Sequence, residues 1–91
     1  MKLLYCRNCH DIVRLSHRLK SCECGLCKGM YSDERHAQYT GEFAIPVGIA
    51  NESFTDAIAN QPKTSNEDGH SDVTFDAFVI PEDCATLERI G

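Results

Sequence analysis

Nowhere in this 91-residue sequence does an apolar run approach the roughly 18–20 residues that cross a bilayer. No transmembrane helix is expected, and Met1–Tyr5 is too short an apolar start for a signal peptide. A soluble, cytoplasmic protein without membrane contact is the expectation. Positive charge is scarce past residue 40: Lys63 and Arg89 face ten acids, a net of −8. Residues 1–40 hold seven bases and four acids, a net of +3, and the whole chain carries −5. That balance argues against general attraction to nucleic acid. Residues 62–72, PKTSNEDGHSD, lack any aliphatic or aromatic anchor and read as a surface loop. His70 beside Asp72 resembles an acid–base pair, but an exposed loop of this kind is poor ground for catalysis.

What the chain does have is cysteine, six in all, five of them within residues 6–27, CRNCHDIVRLSHRLKSCECGLC. Zinc takes four ligands in a tetrahedron, and thiolate sulfur suits it. A tight turn carrying Cys6 and Cys9 aims two sulfurs at one point, and its amides soften their charge. The second cluster offers Cys22, Cys24 and Cys27. Cys22 with Cys24 makes a C-x-C turn closed by Gly25, free to take a positive φ; Cys24 with Cys27 makes a second C-x2-C turn. Cys6, Cys9, Cys22 and Cys24 are the expected ligands of one structural Zn2+, with Cys27 the alternative fourth. His10 and His17 are expected at the surface. A cytosolic setting favours metal over a disulfide framework. Asp11–Leu15 does not read as the helix a thioredoxin-type pair requires, and an iron–sulfur centre ranks below zinc.

C6-x2-C9, a hairpin and then C22-E-C24-G25 resembles the zinc ribbon, a family of β-hairpin knuckle modules, over about the first third of the chain. The resemblance implies metal binding and leaves function open, because ribbons serve many roles. In layout the whole chain resembles small bacterial or phage proteins with an N-terminal ribbon and a short α+β tail, which bring no assigned activity.

The expected fold is α+β: one domain over 1–91, with a zinc-ribbon portion at 1–31 continuing into a small, mainly antiparallel α+β portion at 36–91. A chain this small buries a limited share of its surface, and structural zinc supplies on the order of 10 kcal/mol in isolated finger peptides. Lys2–Tyr5 enters the first knuckle as an extended segment. Asp11–Leu15 and His17–Ser21 read as two arms of a hairpin, and His36–Thr40 as a short strand. Along Phe43–Ala50 the bulky Phe43, Ile45, Val47 and Ile49 fall on one face, suited to a core. Ala44, Pro46, Gly48 and Ala50 fall on the other, where a neighbouring element or a ligand can come close. Pro46 points to a sheet edge or a bulge. Ser53 with Asp56, or else Asn51, caps a short helix carrying Phe54, Ala57, Ile58 and Gln61, closed by Gln61-Pro62. Its N-terminus suits an anion, but Glu52 and Asp56 already place negative charge there. Val73–Ile80 is partly apolar on both faces and reads as a strand that is central or covered on both sides near its end. Pro81 then opens a second helix with Cys84, Leu87 and Ile90 on its stripe, Cys84 as a small buried residue.

Three functional classes follow. The first is a non-enzymatic, zinc-stapled module binding a protein partner through the acidic half or an exposed strand edge. The second is a nucleic-acid accessory module using Arg7, Arg14, Arg18 and Lys20, against which stands the lack of interleaved aromatics to stack on bases. The third, a metalloenzyme, needs an open coordination position, and a chain with surplus thiols favours a closed site.

Overall fold

The computed structural model describes residues 1–67, 69 and 71–90. Eight strands and one helix follow in the order β1 Lys2–Cys6, β2 Ile12–Arg14, β3 Lys20–Ser21, β4 Lys28–Tyr31, β5 Ala37–Thr40, β6 Ala44–Ile49, α1 Asn51–Ala59, β7 Ala77–Val79 and β8 Leu87–Arg89. They form two four-stranded sheets, ordered β2-β1-β6-β7 and β3-β4-β5-β8. All neighbours are antiparallel except β5 and β8, which run parallel with Ala37 opposite Leu87. The architecture is mostly β, with a single helix among the described residues.

Leu4, Cys6, Ala44 and Ile80 from the first sheet and its flank meet Ala37, Tyr39 and Leu87 from the second in one buried cluster, which also takes in Leu15, Cys22 and Cys27. Three of its ten members are cysteines. The molecule is elongated, 45 × 27 × 23 Å, so this apolar interior is thin. Two cationic side chains reinforce it from outside. Lys2 Nζ donates to the carbonyls of Arg35 (2.6 Å) and Thr86 (3.1 Å). The Arg89 guanidinium lies 4.9 Å from the Tyr39 ring centroid and donates to the carbonyls of Gly41 and Ala44.

Several sequence expectations are corrected. Asp11–Leu15 and His17–Ser21 do not pair as a hairpin: β2 joins β1 in one sheet, and β3 joins β4 in the other. In β6 the small face is the buried one, with Ala44, Pro46 and Gly48 inside and Ile45, Val47 and Ile49 half-buried. The reason is that neighbours supply the bulk. Gly48 lies under the Phe78 ring, which a Cβ there would approach to 2.6 Å. Pro46 sits in an interior strand rather than at an edge. Its carbonyl accepts from the Ile80 amide at 3.0 Å; in an antiparallel strand N and O of one residue point the same way. The missing donor therefore faces the last rung beside β7, and the β1 ladder loses nothing.

The helix begins at Asn51 with Ala50 as its cap residue and no side-chain cap. Ser53 Oγ is taken by the Asp76 amide (2.7 Å) and Asn51 Oδ1 by the N-terminal amine (2.7 Å), so tertiary partners outcompete the capping box. Within Val73–Ile80 only Ala77–Val79 is strand, and it lies at a sheet edge with all three residues exposed. The second helix does not form. Pro81–Cys84 is a turn closed by the Cys84 amide on the Pro81 carbonyl (3.2 Å), and Leu87 enters the core on β8. A helix that short has little stability of its own, and pairing with β5 prevails. The His70–Asp72 pair lies outside the described residues, because His70 does.

The turn between β4 and β5 is held by the Ser32 amide and hydroxyl on the His36 carbonyl and by the Asp33 carboxylate. Asp33 Oδ1 accepts from the amides of Arg35 (2.8 Å) and His36 (2.7 Å), and the His36 ring stands 3.0 Å away. These amides and the ring hold the Asp33 carboxyl at about 2, below its ordinary 3.8. Because the folded value is the lower one, the turn gains from ionised Asp33 above the ordinary value and loses that gain as pH falls through about 2. An NMR titration of the Asp33 side chain is expected to give a midpoint near 2; a midpoint at the ordinary value shows an open turn.

Candidate metal centre

Cys6 is the last residue of β1, and Cys9 lies in the turn leading to β2. Cys22 directly follows β3, and Cys24 lies in the turn leading to β4. Each sheet thus contributes one pair of cysteines from one turn. The four sulfurs lie within 4.8 Å of one another. Cys22 Sγ and Cys24 Sγ are 3.5 Å apart, and Cys6 Sγ and Cys24 Sγ 3.7 Å. A tetrahedron with 2.3 Å zinc–sulfur arms has edges of about 3.8 Å, whereas a disulfide requires about 2.05 Å. The donor set and its spacing fit a metal ion of that size.

Both turns are built to gather sulfurs. In the first, the His10 amide donates to the Cys6 carbonyl (2.8 Å), and His10 takes φ +63°, a left-handed conformation uncommon for a residue with a Cβ. Its ring Nδ1 meets Tyr5 Oη at 2.7 Å. In the second turn Gly25 holds the comparable role at φ +80°, with its amide on the Cys22 carbonyl (3.0 Å). The Cys27 amide donates to Cys22 Sγ at 3.4 Å, an N–H···S contact of the kind that stabilises a thiolate. Asp11 ties the two turns together: its carbonyl accepts from the Cys6 amide (3.0 Å) and its carboxylate from the Glu23 amide (2.9 Å). Sequence reasoning did not single out Asp11 for this. The only signal was an acid placed between two cysteine turns.

Electrostatics separate Cys22 from Cys27. Burial works to raise the Cys22 thiol, but the Cys27 amide and the sulfurs of Cys24, Cys6 and Cys9 outweigh it and bring it down to about 6. Burial, with the sulfur and charge of Cys6 and the charge of Cys22, pushes Cys27 up to about 12. Cys27 is fully buried and stands outside the four-sulfur group, packed against the Gly41 backbone. His10 and His17 are exposed and also outside it; His17 packs against Tyr31 instead, with ring centroids 5.7 Å apart. Cys24 is the exposed member, so the group opens to solvent on that side.

The remaining candidates do not converge on this group. Arg7 donates to the Glu42 carbonyl (3.1 Å), Arg14 lies on β2, Lys20 on β3 in the other sheet, and Arg18 between the two strands. Cys84 is half-buried at the turn after β7, where the Thr86 hydroxyl lowers its thiol's pKa. Among the described residues no helix is long and apolar enough to cross a membrane. Comparison with protein-family models, with characterised proteins and with solved structures finds no match to this chain.

Proposed function

We propose that the chain is a non-enzymatic zinc-binding module of zinc-ribbon type, in which Cys6, Cys9, Cys22 and Cys24 clasp one structural Zn2+ and the rest of the surface serves a protein partner. The observation that carries the metal reading is the meeting of four sulfurs from two turns, one on each sheet, within 4.8 Å. An ion held there joins the two sheets at the end of a thin core, which gives it a structural role. Four thiolates complete the coordination of zinc and leave no position for a substrate or an activated water, and this favours a structural over a catalytic metal. The acidic second half and the exposed strand edge support a protein partner. The nucleic-acid reading is weaker, since its basic residues divide between the two sheets instead of sharing one hairpin.

Native mass spectrometry of freshly purified protein tests the metal reading. The expected result is one zinc per chain, lost together with folded structure on chelation. Protein without metal, or with a mass reduced by the hydrogens of two disulfides, overturns it.

A further inference from the structure

The outer edge of β7 is open. The Asp76 carbonyl accepts from the Ala50 amide and the Ile80 amide donates to the Pro46 carbonyl, so residues 76 and 80 turn their backbone groups toward β6. Phe78 does the same opposite Gly48. By the alternation of a strand, Ala77 and Val79 turn theirs outward, two donors and two acceptors with no strand beside them among the described residues. Edges are ordinarily guarded by shortness, charge, proline or a bulge; β7 is short, three residues, but Ala77, Phe78 and Val79 carry neither charge nor proline. The strand is apolar as well: Val79 is 68% exposed, Phe78 leaves part of its ring exposed where it lies over Gly48, and Phe75 and Ile58 are exposed close by in the chain and on α1.

Charge selects the occupant. Asp72 and Asp76 precede the strand, Glu82 and Asp83 follow it, all exposed, and no lysine or arginine occurs between residues 64 and 88. Arg89, the next base, is engaged with the Gly41 and Ala44 carbonyls. Two copies joined edge to edge here would set these acids against each other, which disfavours self-pairing. A strand from another protein that carries lysine or arginine between apolar residues satisfies both the open backbone groups and the acidic flanks.

We propose that the β7 edge binds an extended, basic segment of a partner protein as an added strand. This rests on the reading of the chain as a protein-interaction module and supplies the class of partner. The probe is a fluorescein-labelled peptide of about seven residues alternating lysine and valine, followed by anisotropy against the full chain. Its controls are a glutamate–valine counterpart and the same peptide N-methylated on alternate residues, which keeps the charge but blocks the ladder. Saturable binding that weakens with salt and falls about tenfold or more on N-methylation is expected. Val79→Pro, which removes an outward amide, and Val79→Lys, which places a guard on the edge, are expected to weaken binding by a similar factor. Zinc content and circular dichroism of the same samples show whether each variant is folded.

No binding by the lysine peptide overturns the proposal, as does equal binding by the N-methylated peptide or by folded Val79→Lys protein. Concentration-dependent dimerisation through this edge, abolished by Val79→Lys, also overturns it and names a second copy as the occupant. Zinc-loaded protein that ignores the peptide sinks this inference alone; metal-free protein that still binds it sinks the metal reading alone.

Discussion

Serine in place of Cys6, Cys22 or Cys24 is expected to release the metal and unfold the protein at room temperature, whereas Cys27→Ser retains one zinc per chain. Cys6 and Cys22 are buried and, with Cys24, belong to the four-sulfur group; Cys27 is buried just outside it. Losing one thiolate forfeits a large part of a binding energy on the order of 10 kcal/mol, and for a structural site that energy is folding energy. A core of ten residues, three of them cysteines, has little with which to replace it. Cys27→Ser leaves its amide on Cys22 Sγ, because that contact comes from the backbone. Its cost, about 2 kcal/mol, comes from placing a hydroxyl where a weakly polar thiol was buried. Zinc content and thermal melts of the four variants decide the matter. If Cys27→Ser loses the metal while Cys24→Ser keeps it, the fourth ligand is Cys27.

The second large effect is expected at Gly41. Its φ is +126°, a region closed to side chains, and a Cβ there would stand 2.4 Å from the Leu26 carbonyl oxygen and 3.0 Å from Cys27 Cα. Both obstacles are backbone, so no side chain can rotate away. Gly41→Ala therefore combines conformational strain with a clash and is expected to cost about 3 kcal/mol or more. For a chain of this size that lowers Tm by roughly 15 °C. Gly69 is the control, since it also has positive φ, +76°, but a Cβ there meets nothing within 4 Å. Gly69→Ala is expected to cost only about 1 kcal/mol. Equal melting temperatures for the two variants would show that the close approach of residues 26–27 to Gly41 carries no weight.

The cysteine group was legible because ligand chemistry is local. Two sulfurs from one tight turn must point together whatever the rest of the chain does, so the spacing of Cys6 and Cys9 announces the turn. The choice between Cys22 and Cys27 as the partner of Cys24 was less plain, since both spacings make acceptable turns. In the structure Cys22 belongs to the four-sulfur group, and Cys27, just before β4, stands outside it. Strand β6 was legible from alternation and β5 as a short extended segment, yet the buried face of β6 was not. Residue size fails to predict the inward face where a facing element supplies the bulk, and here Phe78 fills the space over Gly48. The terminal segments misled for a related reason. Proline followed by two acids has the local character of a helix start, but Leu87 gains more by entering the core beside Ala37 than a short isolated helix could return. Ser53 and Asn51 are good caps in isolation, and the Asp76 amide and the N-terminal amine claimed them first.

The parallel rung between Ala37 and Leu87 has a consequence for the order in which the molecule assembles. Every cysteine of the sulfur group lies within the first 24 residues, while the strand that shuts the inner layer comes near the end of the chain. A ribosome thus releases the two cysteine turns long before it releases Leu87. Closing so long a loop is slow compared with forming a local turn. With an ion bound as proposed, the two turns can close before Leu87 is made, and Tyr39, buried in the finished fold, lacks its β8 neighbour until then.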